Sequence, residues 1–245
     1  MTSEARPRTA RRTVAFAVAM AGLFLVFVAL GSWQVQRLFW KLELIDRVAA
    51  RVHAQPVPAP GPSSWAGINA ATDEYRRVSA TGRLLHDKEA LVQAVTERGA
   101  GFWVLTPLVT SDGATILINR GFVPPDRRAP ASRAEGQVQG ETTVTGLLRL
   151  SEPAGAFLRS NDPEGDRWYS RDVGAIGESR GLSDVAPYFI DADATENPGG
   201  YPVGGLTVIA FRNSHLVYAL TWFALAAMSA GACLYLVRHG RRHGH

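Results

Sequence analysis

Two uncharged apolar runs, one near each end, constrain this chain of 245 residues more than any other feature. Residues 14–30 read VAFAVAMAGLFLVFVAL, and residues 216–237 read LVYALTWFALAAMSAGACLYLV. The first continues through Gly31 and Ser32 to Trp33, and the second is about as long. At 1.5 Å per residue, about 20 residues match a hydrocarbon core of roughly 30 Å. The runs are read as transmembrane helices over 13–33 and 215–237, with Trp33 and Tyr218 near their ends, where aromatic belts form. A cleaved signal peptide is the competing reading of the first run, but an apolar signal core usually spans only ~7–15 residues.

Charge supports the membrane reading. The chain carries +4 overall, with a pI near 9.6, which by itself would suggest a nucleic-acid partner. The basic excess, however, lies in two tails. Arg6, Arg8, Arg11 and Arg12 precede the first run, and Arg238, Arg241 and Arg242 follow the second. Without these tails the remainder holds 19 basic and 21 acidic residues. Basic flanks mark the cytoplasmic side of membrane helices. The tails 1–12 and 238–245 are therefore expected in the cytoplasm, with residues 34–214 as one extracytoplasmic domain and no nucleic acid as partner.

Within that domain, Leu38, Leu42, Ile45, Ala49 and Val52 recur at helical steps, so the first helix is expected to extend over 34–54. The proline-rich stretch 55–62 reads as an extended linker. A β-rich core over 72–212 follows, with strands expected at 75–85, 90–96, 102–109, 115–123, 142–150, 166–170, 187–191 and 206–212. Ser111, Asp112 and Gly113 signal a hairpin turn, and a short helix is expected within 171–182. Short connections favour antiparallel pairing. The fold class is a membrane protein with two transmembrane helices flanking a mainly β (α+β) domain, an antiparallel barrel or sandwich.

Little in the sequence points to catalysis. There is no GxSxG, P-loop, GxGxxG or HExxH pattern. The single cysteine, Cys233, lies in the second apolar run, which excludes a disulfide framework or a CxxC site. The acidic stretch 161–166 lacks EF-hand spacing and reads as a solvated turn, and Asp191 with Asp193 reads as a strand-end turn. The histidines of the last eight residues read as a solvated basic tail. His215 is more informative, since it stands where the second helix enters the membrane. It is either an interfacial histidine bonded to headgroups or a carbonyl, or an axial ligand for heme iron. Ala219 and Trp222 follow on the same face, Trp222 about 10 Å deeper. A flat macrocycle could lie there, with Arg212 and Arg37 placed to meet its propionates. Snorkelling anchors are the other reading of both arginines.

Gly31, Trp33, Gln34, Arg37, Leu38, Trp40 and Lys41 together resemble the signature after the first membrane helix of the Surfeit locus protein one family. Further matches follow in order: Tyr75 and Arg76, Thr106 to Leu108, Asn119 to Pro124, Arg149 and Leu150, Trp168 with Arg171 and Asp172, and Phe189 to Asp191. Pro198 to Gly200 and Gly204 with Gly205 lead to Arg212, Asn213, His215, Tyr218 and Trp222. The resemblance covers the chain from the first helix through the second.

It implies a non-catalytic assembly factor for heme-copper cytochrome c oxidase that binds heme a as transient cargo and assists its insertion into subunit I. His215 matches the family histidine implicated in binding heme a. On this reading it ligates the iron, Trp222 packs the ring, and Arg212 and Arg37 neutralise the propionates. Oxidase subunit I, heme a synthase and the lipid bilayer are the implied partners. A missing second axial ligand could come from another protomer in a homo-oligomer. Asn119, Arg120 and Gly121 are either a contact with these partners or a structural turn closed by Arg120. The alternative function is a membrane scaffold that stabilises an assembly intermediate without touching heme. Abundant arginine, a short amino-terminal tail carrying Glu4 and a short 91–102 loop favour a bacterial plasma (inner) membrane over the mitochondrial inner membrane, with the domain periplasmic.

Overall fold

The computed structural model describes residues 5–153, 155–156, 158–209, 211 and 213–242. Among the described residues there are three α-helices: α1 (Ala5–Val52), α2 (Val173–Ser179) and α3 (His215–Arg242). The chain divides into a helical unit, up to Arg47 and again from Ala210, and a β unit, Val48–Ile209.

In the helical unit, α1 and α3 are both long and apolar enough to cross a membrane. Their least exposed positions alternate steps of three and four. On α1 these include Phe24, Phe27, Gly31, Gln34 and Leu38, and on α3 His215, Ala219, Trp222, Ala226, Ser229 and Cys233. A 3.5-residue period is that of a coiled-coil seam. The seams meet antiparallel. Cys233 Sγ approaches the Ala17 carbonyl at 3.7 Å, Trp222 stacks on Phe27, and His215 bonds Gln34. Lipid tails give no hydrophobic drive to helix pairing, so small residues that allow close approach matter most. Gly31 is one of them, because a Cβ there would lie 2.7 Å from the Phe223 ring.

The β unit holds seven strands: β1 (Val57–Pro58), β2 (Arg77–Leu84), β3 (Ala90–Thr96), β4 (Gly99–Thr110), β5 (Thr115–Val123), β6 (Glu141–Leu150) and β7 (Val185–Ala192). The order β2-β6-β7-β5-β4 closes on itself where β4 also pairs with β2, from Gly82↔Thr110 to Leu84↔Leu108. The result is a closed five-stranded barrel, with β1 and β3 added at its margins; the sandwich alternative does not apply. Pairing is antiparallel except for β5 with β7 and β1 with β2. The parallel β5–β7 pair requires a long crossover, which here carries β6 and α2.

Two clusters form the core. Val78, Leu108, Ile116, Ile118, Leu148, Tyr188 and Ile190 belong to one, and Val92, Leu105, Leu117, Trp168, Ile176 and Phe189 to the other. Alternate residues of β5 enter different clusters, so every residue of that strand is buried. This explains the apolar run of residues 116–118 within it. Each such Leu, Ile or Phe contributes about 1.5–3 kcal/mol by leaving water.

Several local features differ from the sequence reading. Residues 166–170 form no strand; Trp168 makes one bridge to Val92 while its ring enters the core, and its indole N–H bonds Asp166 at 2.7 Å. The described part of 206–212 is also not a strand; its Thr207 hydroxyl donates to Asp191 at 3.0 Å. The proline-rich stretch is extended but docked, with Ala59 N donating to the Ser79 carbonyl at 2.9 Å. The 161–166 loop is closed by its own partners, Asp162 accepting from Gly165 N and from Arg167.

Candidate functional site

At the head of α3, Asn213 Oδ1 accepts from the His215 backbone N–H at 3.4 Å. His215 Nδ1 lies 2.7 Å from Oε1 of Gln34, a nearly buried residue of the α1 seam. With Gln34 Oε1 as acceptor, Nδ1 is the donor, and in a neutral imidazole this leaves the lone pair on Nε2. A hydrogen bond that fixes the tautomer and ring orientation in this way is what metal-ligating histidines commonly have. Among the described residues nothing bonds to Nε2, and no group of three or more His, Cys, Asp or Glu could hold a bare metal ion. A metal that brings its own equatorial ligands, as in a porphyrin, needs only one or two such nitrogens.

The other residues expected to contact heme are Trp222, Arg37 and Arg212. One face of Trp222 is stacked on Phe27, with centroids 5.8 Å apart. Arg37 is exposed, outside the seam, and its guanidinium lies over Trp40 at 5.0 Å and Trp33 at 5.9 Å. Arg212 lies outside the described residues. Gln34 is the residue that sequence reasoning missed as a site member. Its in-phase spacing with Gly31 and Leu38 was the available signal.

A sequence model described as the SURF1 family matches residues 21–227. The chain belongs to the SURF1 family. "Surfeit locus protein 1" of Rattus norvegicus is 38% identical over 231 residues, covering 84% of this chain and 72% of that protein. The Mus musculus protein of the same name is 40% identical over 220 residues, covering 82% and 69%. A "SURF1-like protein" of Monosiga brevicollis is 38% identical over 236 residues, covering 91% and 87%. SURF1 family membership is consistent with a role in cytochrome c oxidase assembly and with a non-catalytic protein.

The motifs that carry the SURF1 resemblance converge on one carboxylate, Asp191 on β7, which is 3% exposed. Its oxygens accept from Asn119 at 2.7 Å, from Arg149 and Arg171 at 3.1 Å, and from Thr207 at 3.0 Å. Arg149 also pairs with Glu74 at 2.8 Å, and Arg171 with Glu152. Both guanidiniums stack on Phe189. Burial opposes the charge of Arg149, yet Asp191 and Glu74 hold its pKa above the ordinary value. Asp191 is thus a junction of separate segments, where the sequence suggested a strand-end turn. It lies in the wall of a cavity of about 200 Å³ with Trp103 and Leu206.

Asn119, Arg120 and Gly121 face inward. Asn119 bonds Asp191, and its own Oδ1 accepts from Gly121 N at 3.2 Å. Gly121 has φ +129, and a Cβ there would collide with the Val203 carbonyl. Arg120 is 4% exposed and donates to the carbonyl of Gly136. Asn119 and Arg120 therefore expose little surface.

Proposed function

We propose that this protein carries heme a during cytochrome c oxidase assembly, with His215 as axial ligand to the cargo iron, and assists its insertion into subunit I. The observation that carries the reading is the His215–Gln34 pair, which commits Nδ1 and leaves Nε2 without a partner among the described residues at the end of a membrane helix. One protein nitrogen holds a heme without closing both axial positions, which suits a carrier that must release it. Trp222 would bound the ring from deeper in the helix, and Arg37 and Arg212 would meet the propionates. Subunit I and heme a synthase are the partners this reading requires. The arginine-rich tails support a topology with both termini in the cytoplasm and the barrel in the periplasm of a bacterial plasma membrane.

The test is the absorption spectrum of the detergent-purified protein made together with the heme a synthesis enzymes. Wild type should carry a heme a spectrum that is lost or shifted in His215→Ala. Equal heme in both proteins would overturn the ligand assignment.

One observation favours the scaffold reading. A buried polar pair in an apolar seam also fixes the register of two helices, with no cargo involved. Colourless wild-type protein, with oxidase assembly still dependent on it, would select that function.

A further inference from the structure

Four charged residues are buried among the described residues: Asp73, Arg120, Arg133 and Asp191. Asp73 pairs with Arg76 at 2.9 Å, Arg133 with Glu89, and Asp191 with Arg149 and Arg171 at 3.1 Å. Arg120 differs, having no carboxylate within 4.0 Å among the described residues. Its acceptors are neutral: the Gly136 carbonyl, Asn197 Oδ1 at 2.9 Å and His86 Nδ1 at 3.4 Å.

Burying a cation without a counter-charge is costly, and here burial pulls the guanidinium pKa down to about 10. His86 supplies no negative charge. Its Nε2 lies 2.9 Å from the Val138 carbonyl, and burial lowers its pKa. The carboxylate of Glu89, whose field favours the Arg120 charge, is held by Arg133. The local set of Arg120, Arg133 and Glu89 is therefore left with one net positive charge.

Arg120 lines a cleft of about 180 Å³ whose walls include Leu84, Ile118, Val138, Thr142 and Asn197. Asp193 and Glu196 also line it. Asp193 is engaged by Arg77 at 3.8 Å and by Thr195, and Glu196 is exposed. Four threonines and the Asn197 amide share the walls with the apolar side chains of Leu84, Ile118, Val138 and Val144, beside a guanidinium that lacks a counter-charge. The two acids repel a dianion more than a monoanion, which disfavours phosphate.

We propose that this cleft binds a carboxylate on a short apolar stem, with Arg120 as its counter-charge. A free carboxylic acid and a Glu side chain of a partner protein share that chemistry. The site is independent of heme carriage by His215.

The experiment is thermal unfolding of the full-length protein in non-ionic detergent. Sodium butyrate is titrated against sodium chloride at equal ionic strength. Wild type should show a saturable rise in unfolding temperature. A charge-assisted hydrogen bond is worth about 1.5–3 kcal/mol, so half-saturation in Arg120→Gln should need at least about tenfold more butyrate. Thr142→Leu, which fills the cleft and keeps Arg120, should show the same loss and decides the matter if Arg120→Gln does not fold. Glu196→Gln should tighten binding by about two- to threefold, the size of an exposed charge effect. A blocked tripeptide with a central Glu that saturates well below butyrate identifies a protein side chain as the source; equal saturation identifies the free acid. No saturation, identical curves in wild type and the cleft variants, or stronger saturation by inorganic phosphate would overturn the proposal.

Discussion

In the helical unit, one polar pair, Gln34 with His215, interrupts the upper part of an otherwise largely apolar seam. In the β unit, Asp191 joins Asn119, Arg149, Arg171 and Thr207 in a network drawn from several segments. Both arrangements bury polar groups, but their valences differ. The acceptor sites of Asp191 are used within the chain, so its network can only hold the barrel together. His215 has Nδ1 satisfied and Nε2 without a partner among the described residues, so it can accept something that arrives from outside. Whether a polar group is saturated separates structure from function here better than burial does.

The largest test of that contrast removes the saturated centre. Asp191→Ala removes the carboxylate shared by Arg149 and Arg171 and leaves them only Glu74 and Glu152, and breaking a buried pair costs about 3–5 kcal/mol. Chemical unfolding followed by circular dichroism should show a loss of that size, and a loss below about 1 kcal/mol would mean the network is not what closes the barrel.

Next is the helical seam. Gly31→Val crowds the Phe223 ring, and overpacking typically costs about 1–3 kcal/mol. With Ala17→Cys as a partner for native Cys233, the disulfide yield should be high in the parent and fall clearly when Gly31→Val is added. An unchanged yield would show that the close approach at Gly31 is not needed for pairing.

A smaller change separates the two readings of the polar layer. Gln34→Leu should leave the helix pair as stable or more so, because an apolar residue fits the seam. Retained heme a should nevertheless fall by about tenfold or more, the usual cost of losing the group that orients a metal-ligating histidine. Unchanged heme retention would leave Gln34 as a register device only.

The smallest effect concerns His86 in the β unit. Burial lowers its pKa, outweighing the bond to the Val138 carbonyl, and Arg120 acts in the same direction. The folded state then binds fewer protons than the unfolded state. Its contribution to stability is present above the unfolded value, about 6.5, and is lost as pH falls below that value towards the folded pKa. Unfolding midpoints recorded between pH 7 and 5 should decline in wild type and decline less in His86→Gln. Identical slopes would remove His86 as the cause.

Much of the architecture was legible in the sequence, and the reasons are local. β3 and β5 span the residues their β-rich runs indicated, Ala90–Thr96 and Thr115–Val123, because turn residues bound both runs. Asp172, as N-cap accepting from Ala175 N at 3.1 Å, and Gly181 at φ +58 mark a short helix in the expected segment. Trp168 misled because an apolar residue amid polar ones reads the same whether it sits in a strand or plugs a core from a loop. Asp191 misled for a related reason. Its partners lie 20, 42 and 72 residues away, and no local pattern signals them. The lone guanidinium of Arg120 is equally hidden, since a missing partner becomes visible only when the neighbours are known.

Two membrane-length helices and a mainly β domain between them were determined by the sequence alone. Backbone in lipid must satisfy its hydrogen bonds within its own helix, so a long uncharged run has few other fates. Closure of the barrel through β2 and β4, the saturation of Asp191, the solitude of Arg120 and the choice of Gln34 as the partner of His215 were decided only by tertiary structure. Each depends on which side chains meet across long stretches of chain, and that meeting is set by packing and register rather than by any run of neighbouring residues.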